Sequence, residues 1–75
     1  MKKVLVRETN MGNGVDLFHI WTSVDEALRS GQFDYLTDMW DEDLEDLTWE
    51  EVQEIENLEE FINTIGYPFE VVKSE

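Results

Sequence analysis

Val4, Leu5 and Val6 sit in an apolar, β-branched stretch within residues 2–9, which predicts a strand. Residues 15–21 predict a second strand. Val15, Leu17, His19 and Trp21 fall on one of its faces, and Asp16, Phe18 and Ile20 on the other. Apolar groups on both faces imply a central strand, or a strand with one face open to a partner. Between the two runs lies Asn10-Met11-Gly12-Asn13-Gly14. Asn13-Gly14 is the pair best suited to the positive φ angles of a tight hairpin turn.

The apolar period then changes from two to between three and four. Ser23 and Glu26 have the spacing of a capping box at the start of a helix whose apolar face is Val24, Ala27 and Leu28, with Gly31 placed to end it. Phe33, Leu36 and Trp40 fit a short second helix within residues 32–40, and residues 41–47 read as an acidic connector anchored by Leu44 and Leu47. Thr48 and Glu51 make a second capping box. Val52, Ile55, Leu58, Phe61, Ile62 and Ile65 then form one stripe, predicting a single helix that Gly66 and Tyr67-Pro68 terminate. Residues 69–73 predict a last strand.

Two strands, helices and a closing strand define an α+β domain. The N-terminal β-hairpin and the C-terminal strand make a three-stranded antiparallel or mixed sheet, with two or three helices on one face. The 75 residues allow one domain, residues 1–75, with a small core. An apolar content of 41%, with 12% aromatic, is too high for a disordered acidic tail. The absence of cysteine removes disulfides, thiolate nucleophiles and cysteine-based zinc sites. The apolar run after Met1-Lys2-Lys3 stops at Arg7-Glu8, too short for a secretion signal, and no stretch approaches membrane-spanning length. A cytoplasmic, soluble protein is expected.

Charge changes the picture most. The net charge is −14, yet residues 1–29 are balanced, with Lys2, Lys3, Arg7 and Arg29 against Glu8, Asp16, Asp25 and Glu26, and Lys73 cancels Glu75. The whole imbalance therefore lies between Ser30 and Val72, which contain no basic residue. Direct nucleic-acid binding and anionic membranes are disfavoured, because both require Lys and Arg against phosphate.

Candidate chemistry is sparse. His19 is the sole histidine and sits among apolar neighbours, which favours a structural role over metal or acid–base work. Gly12-Asn13-Gly14 lacks the lysine and the following helix of a phosphate loop. Asp41, Asp43 and Glu45 match the first positions of an EF-hand loop, but Asp46 stands where glycine is needed and Val52 where glutamate is needed. Carboxylates are abundant, but catalytic ones need a sheltered cleft. No catalytic residue, metal site or cofactor is assigned, and the chain is not expected to be an enzyme.

The acidic surface remains as the candidate site: Asp34, Asp38, Asp41, Glu42, Asp43, Glu45, Asp46, Glu50, Glu54, Glu56, Glu59 and Glu60. On one continuous helix the acids from Glu50 to Glu60 would span roughly 15–16 Å. That is about one charge per 2.5–3 Å, against about one per 1.7 Å of duplex DNA. Such a surface suits an inhibitor or regulator that mimics DNA toward a basic, nucleic-acid-binding protein. Phage and mobile-element proteins that block host nucleases or defence complexes share this size and charge, although no motif assigns the chain to a family. The alternative is a protein-interaction module anchored by Trp21, Trp40, Trp49, Met39 and Tyr67. An open sheet edge makes either a monomer or a homodimer reasonable.

Overall fold

The β-branched N-terminal run forms the strand β1 (Val4–Glu8), and the alternating segment forms β2 (Leu17–Trp21). A computed structural model describes residues 2–9, 12–41 and 46–75 of the chain. The two strands pair antiparallel with Val4 opposite Trp21 and Glu8 opposite Leu17, so the expected hairpin is present. Its turn differs from the expected one. That register centres the connection on residues 12 and 13, and only Gly14 of the Asn13-Gly14 pair has a positive φ, 74°. Asn13 instead accepts a hydrogen bond at Oδ1 from the Val15 backbone N–H, 3.0 Å away, a local turn made by its own side chain. The last strand, β3 (Phe69–Ser74), pairs antiparallel with the other edge of β1, with an irregularity between Leu5 and Val6. Sheet order is β2-β1-β3, so β1 is central and β2 is an edge.

Four helices occupy the described residues: α1 (Val24–Arg29), α2 (Leu36–Met39), α3 (Trp49–Gln53) and α4 (Leu58–Ile65). The single helix expected from Thr48 to Gly66 is two helices. Thr48 opens α3 with a complete capping box, but the backbone leaves the helix after Glu54, and Asn57 caps a new one by accepting the Glu60 N–H at 2.9 Å. A polar Asn side chain offers its own helix start, and here that local bond displaces the backbone ladder. The apolar stripe survives the break. Val52, Leu58, Phe61 and Ile62 are buried, while Ile55 and Ile65 are partly so. At α1 the capping box is half formed. Ser23 accepts from the Glu26 N–H, while the Glu26 carboxylate accepts from the Thr22 hydroxyl at 2.8 Å.

The core lies between the inner sheet face and the helices. Val4, Val6, Trp21 and Phe69 from the strands meet Val24, Ala27, Phe33, Leu36, Trp49, Val52, Leu58, Phe61 and Ile62. Phe33 is its hub, with ring centroids 5.5 Å from Trp21, 5.3 Å from Phe61 and 4.6 Å from Phe69. Trp40 stacks at 5.7 Å on Trp49 and donates its indole N–H to the Leu47 carbonyl at 2.7 Å, which ties together the two ends of the acidic connector. Leu47 packs on the core, whereas Leu44 lies outside the described residues. The backbone extends 33 × 31 × 18 Å. That smallest dimension fits one sheet and one helical layer, so no second layer of described residues covers the outer face of the sheet.

Candidate functional site

The acidic residues project from the helical layer. Asp34 and Asp38 belong to the turn and helix that Phe33 and Leu36 pin to the core; Asp41 and Asp46 flank the acidic connector. Glu50 lies on α3, Glu54 and Glu56 on its exit, and Glu60 in the first turn of α4. All eight are exposed. Glu42, Asp43 and Glu45 lie outside the described residues, as does most of the EF-hand-like stretch. The helix break removes the straight line of charge expected from Glu50 to Glu60. The carboxylates are instead divided between two helices and the turn that joins them.

Glu59 is a different case from its neighbours. It is half-buried, pairs with Lys2 and accepts from the Ser74 hydroxyl at 3.0 Å. The hydrogen bond from Lys2 leads in holding its carboxyl below the usual glutamate range. Glu59 thus fastens α4 to the sheet. Among the described residues, the other ion pairs join Arg7 to Asp16 and Glu70, Arg29 to Asp25 at 2.9 Å, and Lys73 to Glu75. None reaches Asp34, Asp38, Asp46, Glu50, Glu54, Glu56 or Glu60. A groove of about 280 Å³ brings Glu54 and Glu56 beside Asp25 and Leu28 of α1.

His19 stacks on Trp21 with centroids 4.8 Å apart and contacts Glu8 at 2.9 Å. The contact with Glu8 ties β2 to β1. The nearby Tyr35 hydroxyl is pushed above its ordinary value near 10, first by burial and then by the charge of Glu8. No group of three or more His, Cys, Asp or Glu among the described residues is arranged to hold a metal ion. No helix among them is long and apolar enough to cross a membrane.

The tryptophans do not serve as surface anchors. Trp21 and Trp49 are buried and Trp40 is half-buried, because the thin core needs their volume. Met39 and Tyr67 are exposed. Large apolar side chains are instead exposed on the outer sheet face. Phe18 is 60% exposed and Ile20 62% exposed, side by side on edge strand β2. The signal was present in the sequence as apolar residues on both faces of β2, but which face the helices cover depends on distant packing.

In comparisons with known proteins, no family matches the sequence, no curated protein is similar to it, and no solved structure matches the fold.

Proposed function

We propose that this chain is a small acidic binding protein, without catalytic activity, that presents its helical-side carboxylates to a basic nucleic-acid-binding protein as an inhibitor or regulator. One observation carries the reading. The exposed acids at Asp34, Asp38, Asp46, Glu50, Glu54, Glu56 and Glu60 have no cationic partner among the described residues, while Lys2, Arg7, Arg29 and Lys73 are paired elsewhere. Concentrated like charge opposes compaction, and a small domain carries it at a cost to its own stability. A cationic nucleic-acid groove would relieve that repulsion and gain strong electrostatic steering. The helix break, which divides Glu50 and Glu60 between α3 and α4, supports general electrostatic competition with nucleic acid over register-by-register imitation of one phosphate strand. An anti-defence role of the phage or mobile-element type, acting in the cytoplasm, belongs to the same reading.

The test is capture of a partner at low salt, followed by competition between this chain and nucleic acid for the purified partner. Displacement of the nucleic acid, affinity that falls steeply with salt, and loss of binding by the Glu54→Lys, Glu56→Lys double variant are expected. A partner that stays bound through high salt, or ignores the double variant, refutes the proposal. The second reading, an interaction module with apolar anchors, is supported by Phe18 and Ile20.

A further inference from the structure

The outer face of the sheet has a composition unlike the rest of the molecule. Phe18 and Ile20 form an apolar column on β2, Leu5 lies beside Ile20 on β1, and Val72, at the irregularity of β3, is 49% exposed. Leu5 and Ile20 line a shallow depression of about 250 Å³ together with Lys3, Lys73 and Glu75. Above it, Arg7 lies between Asp16 and Glu70. The charges of this face are Lys3, Arg7 and Lys73 against Asp16, Glu70 and Glu75, so they cancel. The net charge of −14 therefore belongs to the remaining surfaces.

We propose that this face is where two copies of the chain meet. Two copies repel each other wherever their helical layers approach. The sheet face is the surface on which that repulsion is weakest, and it offers cations and carboxylates in equal number. A two-fold arrangement is self-complementary by symmetry. It seats the Phe18–Ile20 column against the partner's column and turns the charged β3 side into a polar rim. The product is a two-sheet sandwich, with sheets about 10 Å apart and both acidic helical layers facing outward. Size agrees with a reversible contact. Three strands at about 4.8 Å spacing and six residues at about 3.3 Å give a flat area of about 280 Å². Two such faces give about 560 Å² of flat area, below the roughly 1,000 Å² of a stable specific interface, as a weak and reversible contact requires. A basic partner is drawn to the helical side, whereas a second copy brings to this face a neutral face of the same composition. The neutral face is left to a second copy.

Sedimentation equilibrium of the full chain over a concentration series tests this directly. The mass should rise from 8.9 kDa to twice that value with increasing concentration. Added salt should move the midpoint to lower concentration, because screening weakens the residual −14 against −14 repulsion. This salt response is opposite in sign to that of the acidic surface with a basic partner, so failure of either idea leaves the other standing. Phe18→Thr with Ile20→Thr places strand-favouring β-branched side chains on an exposed strand and should return the mass to 8.9 kDa with unchanged circular dichroism. Met39→Thr, at an exposed apolar residue on α2, should leave the dimer intact. A wild-type mass of 8.9 kDa up to about millimolar concentration, the regime of contacts worth about 4 kcal/mol, overturns the proposal. So does a dimer that survives the double threonine variant.

Discussion

Glu54→Lys should make the isolated domain more stable while weakening its binding to a basic partner. Glu54 is the C-cap of α3, still in helical backbone conformation, four residues after Glu50, and the last turn of α3 has no basic residue. It suffers like-charge repulsion from Glu50, of about 0.2–0.5 kcal/mol for such an i,i+4 pair. It also stands at the negative end of the helix dipole, worth about 0.3–1 kcal/mol per charge and taken here near about 0.3 for so short a helix. Lysine reverses both effects. It turns repulsion of about 0.3 kcal/mol into a similar attraction, with glutamate on the favourable N-terminal side. It also turns an unfavourable dipole interaction of about 0.3 kcal/mol into a favourable one. The sum is about 1.2 kcal/mol, and Glu54→Gln should give about half. For a domain of this size that raises the melting temperature by about 5–10 °C. By contrast, α1 already carries the favourable arrangement, with Arg29 in its last turn paired to Asp25 at 2.9 Å. The assay is urea unfolding followed by tryptophan fluorescence, at about 0.01 M and about 1 M salt, where the screening length falls from about 30 Å to about 3 Å. The gain should be largest at low salt and mostly vanish at high salt. No gain at low salt, or an equal gain at both, would refute the electrostatic reasoning.

Phe33→Ala should cost about 3–5 kcal/mol, a large share of the total stability of a small domain. Phe33→Leu, which forfeits the three aromatic contacts, should cost about 2 kcal/mol and remain readable by urea midpoint. A loss below about 0.5 kcal/mol for Phe33→Leu would mean that the ring is not the hub of the core. Tyr35 has a folded-state value raised above 10, so its contribution is present below that pH and is lost as pH rises through the raised value. Tyr35→Phe should therefore flatten the alkaline limb of the stability profile measured by circular dichroism. Glu59 has a folded-state value lowered by Lys2 and Ser74, so its contribution is present above the ordinary glutamate range and is lost as pH falls through the lowered value. Glu59→Gln should make the urea midpoint less sensitive to acid than wild type; an unchanged acid limb would show that the pairing with Lys2 is energetically idle.

What the sequence alone determined is what short-range chemistry controls. β-branched runs set β1 and β3, apolar alternation set β2, and Thr48 with Glu51 set a helix start. The alternation of β2 divided its side chains correctly between two faces. The absence of any basic residue from Ser30 to Val72 placed the negative charge on the segment that becomes most of the helical layer. The break between α3 and α4 was also partly legible, since Asn57 and Glu60 have cap spacing inside the apolar run. The stripe hid it, because Val52, Leu58 and Phe61 recur at helical spacing whether or not the ladder is continuous. Tertiary structure decided the rest. Burying Trp21 and Trp49 removed them from the surface, because a two-layer core this thin fills its volume with its largest rings. Strand order made β1 central and left Phe18 and Ile20 on an uncovered face, an outcome fixed by pairing between residues 4–8 and 69–74. No local pattern encodes a contact across that much chain, because it forms only when the whole sheet closes on its helices.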